Sequence, residues 1–157
     1  MSDTSVKLIV FPMGSLNLAL PIKVVYKILN HQPVYGSGIN KVGVAHLDNQ
    51  EVTVVDLYRH FFNSSSTRED YRYSYLVIVQ NTTGELYGIP VADTPVLMEV
   101  PLSQIRVLPE SYRRADTLDV ASHVAVINQA EVPLTVFLLD VELLLPIFQK
   151  MAFLGNR

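Results

Sequence analysis

The sequence predicts an all-β protein of two similar lobes, each a small barrel of short strands. Of its 157 residues, 49% are apolar and 17% are charged, which is enough apolar material for one folded domain with a sizeable core. The apolar residues occur in short runs rich in β-branched types, and the same order of runs occurs twice. Closing such strands into barrels removes edges that an open sheet would expose.

The first repeated unit is a β-hairpin. It spans residues 8–22 with a polar turn at Gly14, and it returns at residues 76–91 with a turn at Gly84. In both copies two apolar runs of strand length flank a glycine-containing turn, which is the pattern of two paired strands.

A second pair of apolar runs follows each hairpin, at residues 42–47 and 52–55 in one half and at residues 124–127 and 135–139 in the other. Both copies end in an apolar-Asp-apolar triplet, with Asp56 in the first half and Asp140 in the second. Aspartate accepts hydrogen bonds from the free N–H groups at a helix start, so we expect each Asp to cap a short helix that ends its half.

The whole chain, residues 1–157, is expected to be a single domain. Its lobes are expected at about residues 15–75 and 76–140, with the N- and C-terminal segments packing across them. The polar run 63–74 between them has no periodicity and indicates a solvated loop. The apolar segment 141–153 is expected to pack back across the lobes.

Composition narrows the classes of partner. With 12 basic and 15 acidic residues the net charge is −3, so the basic surface that nucleic acid requires is missing. The chain contains no cysteine, which excludes disulfides and thiolate chemistry and fits a reducing compartment. The uncharged stretch 8–22 is short and broken by prolines, and the N-terminus is not that of a signal peptide. We therefore expect a cytoplasmic protein without direct membrane insertion.

No motif for catalysis or for a cofactor occurs in the sequence. The four histidines share no metal-ligand spacing, so neither a metal nor another cofactor is expected. The remaining enzymatic alternative is a carboxylate and histidine hydrolase that uses Asp56, Asp140 and His123, which would have to lie within hydrogen-bond reach of one another. Helix capping explains both aspartates more simply, so a binding module is favoured.

Several segments, in order, resemble CheW, the coupling protein of bacterial chemotaxis. The resemblance extends over residues 7–145, and the segments that carry it are 9–14, 18–22, 25–29, 43–47, 52–57, 88–91, 105–110 and 137–144. It implies two SH3-like five-stranded barrels with an apolar interior between them and no enzymatic activity. It also implies an adaptor that binds a CheA-type histidine kinase and the cytoplasmic tip of a methyl-accepting receptor, in chemotaxis or pilus-based motility. A degenerate CheW-like scaffold that binds another signalling protein is the alternative.

Two positions depart from the CheW pattern. The family commonly has Glu in a Val-x-Glu-Ile segment and Arg in Leu-Arg-Gly, where this chain has Lys27 and Asp48, with Asn49 in place of the Gly. Because both charges are inverted together, we expect Lys27 and Asp48 to form an ion pair of reversed polarity that influences partner choice. Positional matching to the family predicts four receptor-binding residues, Val25, Lys27, Gly43 and Asp48, and one kinase-binding residue, Tyr26.

Overall fold

The computed structural model describes residues 4–30, 42–62, 73–115, 118–128, 131–144 and 146. Its strands are β1 (Ser5–Met13), β2 (Leu16–Pro21), β3 (Val25–Asn30), β4 (Val42–Leu47), β5 (Gln50–Val55), β6 (Tyr75–Gln80), β7 (Leu86–Val91), β8 (Val96–Pro101), β9 (Ile105–Val107), β10 (Ala121–Ile127) and β11 (Leu134–Leu139). Its helices are α1 (Leu57–Phe62) and α2 (Glu110–Ala115), with 3-10 turns at Ile22–Val24, Leu102–Gln104 and Leu118–Val120 and a helical turn at residues 141–144. The all-β prediction is confirmed.

The strands form two sheets, which contain both predicted hairpins, and each predicted second pair of runs also forms an antiparallel hairpin. One sheet has six strands in the order β8-β1-β2-β11-β10-β9, and the other has five in the order β3-β6-β7-β5-β4. The hairpins β1–β2, β4–β5, β6–β7 and β10–β11 are antiparallel, whereas β2–β11 and β5–β7 are parallel. The resemblance implied five strands in each barrel. The six-stranded sheet has one more, the three-residue strand β9, which pairs with β10.

The two sheets do not divide the chain at residue 75, where the boundary between the lobes was expected. Strands β6 and β7 follow that point but pair with β3 and β5, while β1 and β2 precede it and pair with β8 and β11. Four pairings join the two halves: the parallel pairs β2–β11 and β5–β7 and the antiparallel pairs β1–β8 and β3–β6. The repeat therefore runs along the chain in halves, and each sheet takes strands from both halves.

The strands at the centre of each sheet bury both of their faces. On β1, Ile9 and Phe11 belong to a central cluster shared by the two sheets, whereas Leu8 and Val10 belong to a separate cluster inside the six-stranded sheet. Strand β6 divides in the same way, with Val77 and Val79 in the central cluster and Leu76 and Ile78 inside the five-stranded sheet. Successive residues of a strand point to opposite faces, so each sheet curls round its own interior and packs its outer face on the other sheet.

Helix α1 ties the first half to the six-stranded sheet. Asp56 Oδ1 accepts a hydrogen bond from the Arg59 N–H at 3.1 Å, so the predicted cap is confirmed. The buried ring of His60 lies with Nε2 2.9 Å from Asp119 Oδ1, next to strand β10. Phe62 covers Gly14 in the β1–β2 turn so closely that a Cβ there would lie 2.5 Å from the Phe62 ring.

The helical turn 141–144 is the counterpart of α1 in the second half. Asp140 Oδ1 accepts the Glu142 N–H at 2.9 Å, which confirms the second predicted cap. The buried Tyr87 hydroxyl donates to the Val141 carbonyl at 2.6 Å. Both the N–H and the hydroxyl of Thr82 donate to the Glu142 carboxylate, at 2.9 and 3.0 Å. The turn is thus fixed on the β6–β7 hairpin.

Parts of two predicted segments lie outside the described residues. These are residues 63–72 of the expected polar loop and residues 145 and 147–153 of the segment expected to pack across the lobes. Within that second segment, Val141 and Leu144 do belong to the central cluster.

The contact between Gly14 and α1 yields a test of the packing. Gly14 and Gly84 both have positive φ, 61° and 89°, but only Gly14 faces a ring within clashing distance. Replacing either with Ala strains the left-handed backbone by about 1–2 kcal/mol, and Gly14→Ala adds an overpacking cost of about 1–3 kcal/mol. We expect urea unfolding to show Gly14→Ala as clearly the less stable of the two. Equal losses would contradict the proposed docking of α1.

Candidate protein-binding surface

Lys27 and Asp48 form the predicted ion pair. The Lys27 Nζ lies 3.6 Å from Asp48 Oδ2, and the two side chains are 47% and 74% exposed. Lys27 is on β3 and Asp48 is in the β4–β5 turn, so the pair joins the two edge strands of the five-stranded sheet. This side-chain contact brings the β4–β5 turn next to β3. The prediction of a pair is confirmed.

The β4–β5 turn accounts for the residue types beside this pair. Asp48 and Asn49 are the two residues between the strands, and both have positive φ, 48° and 70°. A two-residue hairpin loop of type I′ requires positive φ at both positions, and Asp and Asn tolerate it better than other non-glycine residues. The turn therefore holds the Asp48 carboxylate at a defined point opposite β3 without a glycine.

A β-bulge in β3 exposes the residues around Lys27. Val25 pairs with Val79 and Lys27 pairs with Ile78, so Tyr26 is the extra residue of the bulge. Tyr26 is 52% exposed and the nearby Ile28 is 40% exposed. The outcome is an exposed stretch of the edge strand β3, on which Lys27 and Ile28 project to opposite faces because they pair with Ile78 and Val77. We call Lys27, Ile28 and Asp48 the β3 patch.

The two other residues predicted for receptor binding lie deeper. Val25 is partly buried against the central cluster, two positions before Lys27 of the β3 patch. Gly43 is buried within β4, where it pairs with Val54. Lys27 and Asp48 are thus the exposed members of the predicted set. The binding roles of all four, and of Tyr26, stay predictions.

A groove of about 410 Å³ opens beside the start of β3. Its lining is mainly apolar and comes from segments far apart in the sequence: Val6, Pro21, Lys23, Val24, Thr82, Leu102, Ile105, Ser122, His123, Leu138, Leu139, Asp140, Val141 and Glu142. A second bulge, in β10 at Ser122, places Ser122 and His123 together on this wall, with Oγ 2.7 Å from Nδ1. Sequence reasoning missed the groove. The available signal was a proline before each 3-10 turn that borders it, Pro21 and Pro101.

The structure does not gather the three residues of the hydrolase alternative. His123 and Asp140 line the groove, but Asp56 is not among its lining residues and instead caps α1 and contacts Arg59 Nε at 3.6 Å. Asp140 uses a carboxylate oxygen as a helix cap. In the described ranges no three acidic or histidine side chains come together as possible metal ligands. No helix in the described part of the chain has the length and apolarity to cross a membrane.

The exposed ion pair is expected to stabilise the fold only weakly. Exposed pairs contribute about 0.2–1 kcal/mol, because water screens them and both side chains lose freedom. A double-mutant cycle of Lys27→Gln and Asp48→Asn, followed by urea unfolding, is expected to give a coupling energy within that range. Asn is the appropriate replacement because it keeps the tolerance for positive φ at position 48. A coupling energy above about 2 kcal/mol would show that the pair is a main structural link instead.

Tyr87 anchors one wall of the groove, and its hydroxyl makes that anchor sensitive to alkali. Burial, followed by the charges of Glu142, Asp140 and Glu85, raises the pKa of Tyr87 above its ordinary value. A raised pKa for an acid means that the folded state favours the neutral form, so its stabilisation is complete below about pH 10 and declines at higher pH.

Tyr87→Phe should therefore cost about 1–2 kcal/mol at neutral pH through the lost hydrogen bond to Val141. The difference from the unaltered protein should shrink as the pH rises above about 10. Urea unfolding across this range measures both effects. Tyr26→Phe, at an exposed position, is the matched control. It is expected to change neither the stability at neutral pH nor the dependence of stability on pH. A difference that stayed constant with pH would contradict the assignment.

Comparison with known proteins agrees with the resemblance read from the sequence. Residues 7–148 match the CheW-like domain family. The crystal structure of the scaffolding protein TtCheW from Thermoanaerobacter tengcongensis is similar with a TM-score of 0.69 at 16% identity, over 89% of this chain and 87% of that chain. Comparison with curated proteins gives no match. The structural likeness supports the two-lobed β fold, and the family match extends over most of the sequence. The chain belongs to the CheW-like family.

Proposed function

We propose that this protein is a non-enzymatic adaptor that couples methyl-accepting receptors to a CheA-type histidine kinase in the cytoplasm. The pathway would be chemotaxis or pilus-based motility. Membership of the CheW-like family supports this role, and so does the fold shared with a protein described as a scaffold. The adaptor acts through binding alone, so the proposal requires no cofactor and no catalytic residue.

The observation that carries the proposal is the combination of the β3 patch with the adjoining groove. Lys23 and Val24 line the groove, and the chain passes directly from them through Val25 and Tyr26 into the patch. A helical receptor tip could place an apolar side chain in the groove while its polar residues meet Lys27 and Asp48. In such interfaces buried apolar contacts supply most of the affinity and rim charges supply specificity.

A coupling protein also needs a surface for the kinase. We propose that it docks on a homologous barrel of the kinase through an apolar barrel surface, with Tyr26 as a contact. Tyr26 suits this role because its ring projects from a bulge and is half exposed. Val96 and Leu97 on the edge strand β8 are also exposed, on the other sheet. Exposed apolar side chains on both sheets are what an adaptor with two partners requires.

Binding measurements with purified partners test the proposal. The full chain is expected to bind both a cytoplasmic-tip fragment of a methyl-accepting receptor and the regulatory domain of a CheA-type kinase, each encoded in the same genome. Ile28→Asp should weaken receptor binding at least tenfold, because it puts a charge into the apolar part of the β3 patch. Val126→Asp is the matched control, since Val126 is 46% exposed, close to the 40% of Ile28, but lies on β10 of the other sheet. Absence of binding to both partners would contradict the proposed function.

A further inference from the structure

We propose that residues 147–157 of this chain dock in the groove beside the start of β3 when no partner occupies it. We call these residues segment 147–157. Its apolar side chains enter the groove, and Lys150 lies against the acidic part of the groove lining. Docked there, the segment competes with any partner that uses the groove. The competition with a receptor tip rests on the proposed function, whereas the docking itself does not.

The groove exposes apolar surface that a docked segment can cover. Its lining includes Leu138 of the apolar cluster inside the six-stranded sheet, and Ile105, which packs against that cluster. Leu102, also in the lining, is a large apolar side chain that is 48% exposed. The volume of about 410 Å³ falls within the range of about 300–1,000 Å³ that is usual for clefts that bury a ligand. The groove is therefore large enough for several apolar atoms to leave water together.

The groove also carries more negative than positive charge. Its lining contains the carboxylates of Asp140 and Glu142, and Lys23 is the one lysine or arginine among the lining residues. Both carboxylates accept hydrogen bonds from neutral N–H or hydroxyl groups, which leave their negative charge in place. Burial, followed by charges that include Glu142 and Asp140, raises the pKa of the neighbouring Tyr87. An occupant with a basic side chain beside apolar ones is complementary to such a groove.

Segment 147–157 has this composition. It contains large apolar residues at five positions: Ile147, Phe148, Met151, Phe153 and Leu154. Its two charged residues, Lys150 and Arg157, are both basic. The segment lies outside the described residues, and only its first two positions fall within the range 7–148 that matches the family. Its sequence is thus the basic and apolar one that the groove fits.

The segment begins close to the groove along the chain. Ile147 follows the lining residue Glu142 by five positions, and a chain advances by at most about 3.6 Å per residue. Ile147 is therefore within about 18 Å of the lining. A tether this short gives a local concentration in the millimolar range, which favours the segment of the same chain over that of a second copy.

Disulfide cross-linking in the full chain tests the docking, because the chain has no cysteine of its own. The double variant Leu102→Cys/Met151→Cys places one thiol in the groove and one in the segment. Leu97→Cys/Met151→Cys is the matched control, since Leu97 is 54% exposed but lies on β8 outside the groove lining. With oxidised glutathione, we expect the groove pair to form an intramolecular disulfide at least tenfold faster than the control pair. Equal rates would overturn the docking.

The charge of Lys150 is tested in the same cross-linking assay. Adding Lys150→Glu to the groove pair should slow the disulfide at least threefold at low salt, and this difference should shrink as salt screens the charges. Lys150→Arg keeps the positive charge and should leave the rate unchanged. A disulfide that forms mainly between two molecules would show that the groove takes the segment of a second copy, which also overturns the proposal.

Receptor binding tests the competition separately. Phe153→Asp puts a charge into the apolar part of the segment and should release it from the groove. We expect this variant to bind a receptor-tip fragment from the same genome at least threefold more tightly than the unaltered protein, because more of its grooves are open. Asn156→Asp adds the same charge beyond the apolar residues and is expected to leave the affinity unchanged.

The two experiments distinguish this inference from the proposed function. If the groove pair cross-links rapidly but neither protein binds the tip, the docking stands and the adaptor role fails. If the tip binds but the two cysteine pairs react at equal rates, the docking is wrong and the adaptor role stands. If the docking is observed and Phe153→Asp leaves the affinity for the tip unchanged, the competition is wrong.

Discussion

The fold depends on strands that are apolar on both faces. A strand in a simple two-layer sandwich can turn one face to water, but β1 and β6 cannot, because their alternate residues belong to two different clusters. Two curled sheets packed back to back satisfy both faces at once. The central strands are then inaccessible to a partner. Binding is left to edge strands, and β3, with its bulge and its mixture of apolar and charged side chains, is one of these edges.

The two halves of the chain contribute hairpins to each other's sheets and also pack against each other. Each sheet combines the first hairpin of one half with the second hairpin of the other through a parallel pair. The helical segment that ends each half then docks on a first hairpin, α1 on the β1–β2 turn and residues 141–144 on β6–β7. These contacts hold the β3 patch and the groove in one frame, so a partner meets a preorganised surface and loses less entropy on binding.

Local features of the fold could be predicted from the sequence. The hairpins followed from apolar runs around Gly14 and Gly84, and the caps followed from the position of Asp56 and Asp140 before apolar residues. These depend on neighbours in the chain. Which strands share a sheet does not depend on neighbours in the chain. The β2–β11 pairing, for example, consists of only two residue pairs, Leu18 with Phe137 and Ala19 with Leu138. No local pattern marks such a contact.

In the candidate site, too, some features could be predicted from the sequence and others could not. Lys27 and Asp48 could be paired in advance because the resemblance to CheW aligned two inverted charges, and the structure brings them together. The bulges at Tyr26 and Ser122 could not be predicted, since an extra residue shifts the apolar alternation by one position and strands as short as β3 and β10 have too few residues to reveal that shift. The groove was missed because its walls come from the beginning, middle and end of the chain.

The parallel contact between β2 and β11 also determines when the protein can fold during synthesis. Leu18 leaves the ribosome long before its partner Phe137, because most of both repeated halves lies between them in the sequence. Until then the β1–β2 hairpin has an open, apolar edge that chaperones or aggregation can reach. A premature stop codon before β11 would leave that edge permanently exposed, so we expect a truncated product to aggregate or to be degraded.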